Sequence, residues 1–181
     1  VLITQAARDA IGTTVISIRD QDIDLAEPWP RVRMVDAVSE KIGRTVHPSQ
    51  PIDELRTLAE EHGIRWEARW GGGKLVEELF EAVCEADIVR PTFVTGHPTE
   101  ISPLSKARPD DPSTTERFEL FAGGMEIANG FSELNDPLEQ RERFLDQLVR
   151  WDDARDQART LRLRGVHHPA GQAHLHRLGL A

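Results

Sequence analysis

The side chains best suited to chemistry lie between Glu126 and Asp136, in the run EIANGFSELND. Its alternating pattern predicts a β-strand that carries acids and an amide beside hydrophobic residues. Burying an unpaired carboxylate or amide is costly, so a strand of this composition is expected to face a ligand rather than the core. A solvated edge strand is the alternative, and the pattern alone favours neither.

The acids of this strand suit two kinds of ligand. Two carboxylates bind a hard cation such as Mg²⁺, and a single carboxylate pairs with a substrate ammonium group. Glu126 and Glu133 are an odd number of positions apart, so they share a site only if Gly130 forms a bulge or the strand ends before Glu133. Asn129, Phe131 and Glu133 share a face without distortion. An amide, an aromatic wall and an acid suit a basic amino acid.

The segment from Arg90 to Asp136 resembles class II lysyl-tRNA synthetases. The runs HPTEISPLSK and EIANGFSELNDP carry the resemblance. The stretch 10–87, which includes IDLAEPWPRVRMVDAVSEKIG, is similar to the family's insertion between motif 2 and the final sheet strands. The resemblance covers residues 1–160.

That family makes lysyl-adenylate from lysine and ATP and then transfers the lysyl group to tRNA(Lys). The resemblance therefore implies lysine, ATP and tRNA(Lys) as substrates, Mg²⁺ as cofactor, a homodimer for the full-length enzyme and a cytoplasmic location. Matched by motif, Glu126 and Glu133 correspond to Mg²⁺ ligands, and Asn129, Phe131 and Glu133 to lysine-binding positions. No catalytic residue is assigned, because orientation and charge neutralisation do most of the work in this chemistry.

Motifs 1, 2 and 3 of the family and its anticodon-binding barrel have no counterpart in the sequence. We expect residues 1–159 to form a partial catalytic domain with a helical insertion over 35–87. From the chain alone we expect no lysine-dependent pyrophosphate exchange. Residues 160–181 contain four of the seven histidines and no acid, which favours a frameshifted terminus over a Zn²⁺ site. Those histidines are His167, His168, His174 and His176.

Two alternatives to a tRNA ligase stay open. Related lysyl transferases modify elongation factor P or supply lysyl groups for lysyl-phosphatidylglycerol. An upstream anticodon barrel would favour the tRNA ligase, and an upstream transmembrane block would favour the lipid-modifying relative. The second alternative is an inactive remnant or interaction module, which a cooperative thermal transition that rises with lysine would argue against.

Composition narrows the class of protein. A chain that binds nucleic acid through its own charge is expected to be basic, so a net charge of −9 argues against a stand-alone RNA binder. No apolar run approaches the roughly 18 residues that a membrane span needs, and the first residues lack a signal-peptide pattern. The sole cysteine, Cys84, cannot form an internal disulfide, which is typical of a reducing cytoplasm.

Several residues near the strand have less specific patterns. His97 and Glu100 in HPTEIS are given no chemical role, and we expect His97 to be structural. Lys106 and Arg108 are either phosphate-attracting or ordinary loop charges. Gly71-Gly72-Gly73 resembles the start of a phosphate loop. No Gly-Lys-Ser/Thr element follows it, so a turn leading into a helix is favoured.

The elements that position these residues follow from hydrophobic spacing, and their mixed order predicts an α+β fold. The resemblance implies that this fold is part of the antiparallel-sheet catalytic domain of a class II synthetase. Asp136 with Glu139 also predicts a helix start. A β-hairpin is predicted over 116–131, with its turn at Gly123-Gly124. The predicted helices are 2–11, 35–42, 51–62 and 74–86. The other predicted strands are 13–18, a short strand within 21–31, and 88–96.

Overall fold

The computed structural model describes residues 2–18, 21–26 and 28–149. The histidine-rich segment 160–181 lies outside the described residues, together with both interpretations of it. The chain divides into two compact units, 1–140 and 141–181, and the fold described below is that of the first unit. In the described part of the chain, no helix is long and apolar enough to cross a membrane.

The helices and strands of the first unit follow the predicted order closely. The helices are α1 (Leu2–Ile11), α2 (Met34–Ile42), α3 (Ile52–Glu61) and α4 (Gly72–Val83). The strands are β1 (Val15–Ile18), β2 (Gln21–Asp24), β3 (Arg31–Arg33), β4 (Thr92–Thr95), β5 (Arg117–Ala122) and β6 (Met125–Phe131). Single turns of 3-10 helix span Glu85–Asp87 and Thr99–Ile101. Residues 137–149 are also helical, and the Asp136 carboxylate caps this start as predicted.

The strands form two sheets, and the α+β prediction is confirmed. β1 and β2 make a two-stranded antiparallel ribbon. The larger sheet has the order β3-β4-β5-β6, with β3 parallel to β4 and the other pairs antiparallel. β3 was not predicted, and the strand predicted over 88–96 is shorter. The N–H groups of Gly123 and Gly124 donate to the carbonyls of Val89 and Ile88, so this backbone supports the hairpin turn instead.

The main core lies between the helices α2, α3 and α4 and one face of the larger sheet. Phe80 of α4 meets Phe121 of β5 edge-on, with ring centroids 5.7 Å apart. Near Ala122, the opposite face is covered by Ile23 of the ribbon and by Leu25, which follows β2 directly. The sheet is therefore buried at this end, and the start of β5 and the end of β6 lie at its more open end. Large buried residues of the main core are Met34, Val38, Leu55, Leu75, Leu79 and Val94.

Two of the three glycines at the start of α4 bind a carboxylate of the chain itself. The N–H groups of Gly71 and Gly73 donate to the two oxygens of Glu100, at 2.9 and 2.8 Å. A Cβ at Gly73 would lie 2.8 Å from the Glu100 Cβ, and one at Gly71 would collide with the carboxylate. Gly72 has no room either, because the Pro48 carbonyl occupies that space. The turn leading into a helix is thus confirmed, and Glu100 satisfies N–H groups that a helix start leaves unpaired.

A second carboxylate holds the loop between β4 and β5. Asp111 accepts from Arg33 Nη2 at 2.7 Å, His47 Nε2 at 3.2 Å and Ser113 Oγ at 2.6 Å. The Thr114 hydroxyl adds a fourth contact at 3.0 Å. These hydrogen bonds outweigh burial and hold the pKa of Asp111 well below its usual range. The loop is therefore joined to β3 and to the segment between α2 and α3.

Candidate functional site

A β-bulge in the hairpin decides which side chains share a face. The register pairs Leu120 with Ala128 but Phe121 with Glu126, so Ile127 has no partner across the ladder. An extra residue on one strand shifts the alternation of side chains by one position. Two residues on either side of Ile127, separated by an odd number of positions, would point to opposite faces of a regular strand. Because of the bulge, they point to the same face of the sheet.

Glu126 therefore lies on the same face of the sheet as Asn129 and Phe131. Directly paired residues of antiparallel strands direct their side chains to one face. Asn129 is paired with Glu119, and Phe131 is paired with Arg117. Phe121 is paired with Glu126, so one face of the hairpin carries two acids, one amide, one guanidinium and two aromatic rings.

A bulge at Gly130 was one of two conditions under which Glu126 and Glu133 could share a site, and the structure has the bulge at Ile127 instead. Gly130 pairs regularly with Phe118, and a Cβ there would lie 2.8 Å from the Phe118 ring. The glycine thus makes room for an aromatic side chain on the other face of the sheet. The second condition is met, because β6 ends at Phe131, before Glu133.

An acidic cavity of about 260 Å³ opens between this face and α4. It is wide enough for a hydrated cation or the end of a small polar molecule. Five glutamates and one arginine provide the charged groups among the described residues that line it. The lining residues are Met34, Glu77, Phe80, Glu81, Glu85, Arg117, Glu119, Phe121 and Glu126.

Glu119 is the most perturbed acid of the cavity. Burial raises the pKa of its carboxyl to about 7, against the opposing effect of Arg117, and the negative charge of Glu126 adds to the rise. Arg117 forms an ion pair with Glu119, whereas Lys74 pairs with Glu77 at 2.6 Å on the α4 side. A carboxyl that is desolvated beside other acids gains most when a cation binds next to it.

The donor set fits Mg²⁺ better than a metal held by protein alone. Within the described residues, no three His, Cys, Asp or Glu side chains come together to hold a metal ion. Mg²⁺ usually takes one or two carboxylates and completes its shell with water and substrate phosphates. Glu119 and Glu126 line one cavity, and the charge of Glu126 acts on Glu119. They are the carboxylate pair that the geometry offers.

Glu133 lies elsewhere. It is exposed, its backbone forms a bridge with Ser105, and it does not line the cavity. The predicted Mg²⁺ pair of Glu126 and Glu133 therefore stays a prediction, and Glu119 is the residue that sequence reasoning missed. An available signal was the alternation of Glu119 with hydrophobic neighbours in β5.

Two of the residues predicted to bind lysine, Asn129 and Phe131, lie at the open end of the same face. Asn129 and Phe131 are exposed, Phe131 to 43%, and both belong to the edge strand of the sheet. The Asn129 Oδ1 accepts a hydrogen bond from Arg117 Nε at 3.3 Å. Glu133 follows two residues after Phe131, also exposed. A ligand can therefore reach all three positions from solvent.

The structural interpretation of His97 fits its surroundings. Its side chain is 1% exposed, and Nε2 lies 3.3 Å from the Val94 carbonyl and 3.9 Å from Glu119 Oε2. Burial, reinforced by Arg117, lowers the pKa of His97 to about 4, so the ring is neutral at ordinary pH. Arg108 makes two hydrogen bonds to Asp110, which fits an ordinary loop charge.

Comparison with known proteins places the chain in a family. A family model described as "tRNA synthetases class II (D, K and N)" matches residues 2–163. The chain belongs to this family. The resemblance seen in the sequence is thereby confirmed, and the mixed sheet with its helical layer is part of a class II synthetase domain.

The curated relatives of this class II synthetase chain include several lysine–tRNA ligases. The chain is 45% identical over 157 residues to that of Halalkalibacterium halodurans, which covers 87% of the chain and 31% of the relative. Identity to the Bacillus subtilis and Staphylococcus aureus ligases is 43% and 42%, over 87% of the chain and 32% of each relative. The chain thus spans about a third of the length of these relatives.

Proposed function

We propose that this chain forms the lysine- and Mg²⁺-binding face of a lysine–tRNA ligase, which activates lysine with ATP and transfers it to tRNA(Lys). The observation that carries the proposal is the bulge at Ile127. It brings Asn129 and Phe131 onto the face that carries Glu119 and Glu126. The names of the curated relatives support the same activity.

Lysine recognition follows from the open end of this face. The Phe131 ring offers an apolar wall for the four methylene groups of a lysine side chain. Glu133 supplies an opposite charge for an ammonium group, and Asn129 supplies an amide for the polar atoms of the amino acid. An aromatic wall combined with an acid favours a long basic side chain over an apolar one of similar length.

Metal binding follows from the cavity end. Glu119 and Glu126 would hold Mg²⁺, and Glu133 stays a candidate ligand from the sequence motif. The ion would neutralise phosphate charge as the amino acid is activated. Arg117 keeps the Glu119 carboxylate in place through their ion pair, and Phe80 and Phe121 form an apolar floor that limits water on one side. The raised pKa of Glu119 means that cation binding also displaces a proton near neutral pH.

The remaining assignments rest on the family and on the sequence. We assign residues 1–159 to the catalytic domain and 35–87 to its helical insertion. We also propose a homodimer for the full-length enzyme and a cytoplasmic location. ATP and tRNA(Lys) would be bound with elements of the longer relatives that this chain does not match.

A chimera tests the proposal directly. The matching third of the Bacillus subtilis lysine–tRNA ligase is replaced by residues 2–149 of this chain, and lysine-dependent ATP–pyrophosphate exchange is measured. We expect exchange with lysine, and a loss of about 100-fold with Glu126→Gln, because a carboxylate near the phosphates is removed. Glu54→Gln, an exposed acid in the first turn of α3, is the matched control and should leave exchange unchanged.

A folded chimera that activates no lysine, or that activates a different amino acid, would contradict the proposal. The related lysyl transferases share the activation step and differ in the acceptor. Acceptor assays on the protein that carries this chain, with tRNA(Lys) and with elongation factor P, separate those two functions.

A further inference from the structure

Arg117 connects the lysine end of the site with its metal end. It is the first residue of β5, and its side chain is 17% exposed. Its three nitrogens donate in three directions: Nη1 to Ser102 Oγ at 3.0 Å, Nε to Asn129 Oδ1 at 3.3 Å, and Nη2 to Glu119. The buried Ser102 side chain, 3% exposed, fixes one side of the guanidinium.

The chemistry of the guanidinium determines how the Asn129 amide is oriented. An arginine side chain has five donors and no acceptor, so only the carbonyl oxygen of Asn129 can face it. The two ends of an amide have nearly the same shape, and packing alone would not choose between them. With Oδ1 held by Arg117, the NH₂ group of Asn129 is left to donate to a ligand on the exposed face.

We propose that Arg117 is a positioning residue, which orients the Asn129 amide so that its NH₂ group donates to the carboxylate of the bound amino acid. The inference deepens the proposed lysine site and rests on it. The NH₂ group of Asn129 needs a hydrogen-bond acceptor. The carboxylate of a bound lysine is such an acceptor, whereas the ammonium group of its side chain can only donate. Arg117 thereby links recognition of the carboxylate end of the substrate to the placement of Glu119.

A role in charge balance alone makes a different prediction. Arg117 is the cation among the described residues that line the acidic cavity, and any cation at that position would neutralise the acids. Lysine keeps the charge but lacks the planar fork that contacts three acceptors at once. Arg117→Lys therefore separates orientation of Asn129 from neutralisation of the cavity.

Calorimetric titration of the 181-residue chain with two ligands tests the proposal. L-Lysine carries the carboxylate, and cadaverine has the same amine chain without it. We expect Arg117→Lys to weaken L-lysine binding about tenfold, the effect of one charge-assisted hydrogen bond, and to leave cadaverine binding unchanged. Arg44→Lys, in an exposed ion pair with Glu61, is the matched control and should change neither.

A double variant tests whether Arg117 acts through Asn129. The combination of Arg117→Lys with Asn129→Ala should bind L-lysine no more weakly than Asn129→Ala alone, because the two residues act on one contact. Additive losses, or an equal loss for L-lysine and cadaverine, would overturn the positioning role.

An NMR measurement keeps this inference separable from the lysine proposal. The side-chain NH₂ signals of Asn129, assigned by their loss in Asn129→Asp, should move in Arg117→Lys and stay in place in Arg44→Lys. Unmoved signals in Arg117→Lys overturn the inference whatever the ligand does. If the wild-type chain binds neither ligand, the lysine site is rejected, and the NMR result still decides whether Arg117 orients Asn129.

Discussion

Glu100 and Glu119 are two partly buried acids of one fold with opposite surroundings. Glu100 lies at the start of α4, where the N–H groups of Gly71 and Gly73 donate to both of its oxygens. Glu119 lies on the sheet face that meets α4, in a cavity whose other charged lining groups are four glutamates and Arg117. The first carboxylate meets donors and a helix N-terminus, and the second meets like charge.

The difference separates stability from function. Backbone donors at a helix N-terminus stabilise an anion, so Glu100 is expected to contribute to the free energy of folding. Acids placed together oppose folding until a cation joins them, and such an arrangement is typical of functional sites. The comparison predicts that substitutions at the two positions affect different measurements.

The largest effect is expected for Glu119→Gln in the chimera described above. Losing one of two carboxylates that would hold Mg²⁺ should lower lysine-dependent pyrophosphate exchange by about 100-fold or more. Glu100→Gln should leave the exchange rate within about threefold, provided that the protein is assayed below its unfolding temperature. Equal losses for the two variants would remove the distinction between the sites.

Glu119 should have the opposite effect of pH on stability to a carboxylate whose pKa is lowered by donors, such as Asp111. The pKa of Glu119 is raised from 4.5 to about 7 on folding, so the unfolded state ionises first and stability falls as the pH rises through this window. The Glu119→Gln variant should therefore gain stability relative to the wild type as the pH rises from 4.5 to about 7. The gain in its free energy of unfolding over this range should be up to about 3 kcal/mol. Urea unfolding at several pH values measures this, and a pH-independent difference would contradict the raised pKa.

Glu100→Gln should lower the free energy of unfolding by about 2 kcal/mol, because two backbone donors lose a charged acceptor. The control is Glu54→Gln, the same chemical change near the start of α3 at an exposed position, which should cost less than about 0.5 kcal/mol. Urea unfolding of both variants at one pH provides the comparison. Similar values for the two would mean that the Gly71–Gly73 contact contributes little.

Asp111→Asn extends the comparison to a third acid that is surrounded by donors. The charge-assisted contacts from Arg33 and His47 would weaken, and a loss of about 1–2 kcal/mol is expected. A double-mutant cycle with Arg33→Ala should show coupling between the two residues by urea unfolding. Additive effects would show that this contact does not join the loop to β3.

The sequence predicted the elements with strong hydrophobic periodicity and the strand β6, which carries Glu126, Asn129 and Phe131. The hairpin, its turn and the helices after Gly43 appear where hydrophobic spacing placed them. The bulge could not be read from the sequence, because a regular register from the Gly123-Gly124 turn pairs Glu119 with Ala128 rather than Asn129. For the same reason the sequence did not place Asn129 and Phe131 on the face that carries Glu119 and Glu126.

Long-range contacts account for most of what else was missed. β3 is three residues long and is stabilised by its pairing with β4, which lies about sixty residues later in the chain. The local sequence pattern therefore could not reveal it. The role of Glu100 depends on Gly71 and Gly73, which precede it in the chain by a helix and a strand. Hydrophobic periodicity reports burial, and it does not report which backbone donors a distant carboxylate will meet.

We propose that Asn129, Phe131 and Glu133, at the open end of the site, recognise lysine. The most direct measurement is the thermal transition of the 181-residue chain with L-lysine and with L-norleucine, which has a similar side chain without the ammonium group. We predict that L-lysine raises the transition temperature, that L-norleucine does not, and that Asn129→Ala removes the shift. An equal response to both amino acids, or no response to L-lysine, would contradict the account.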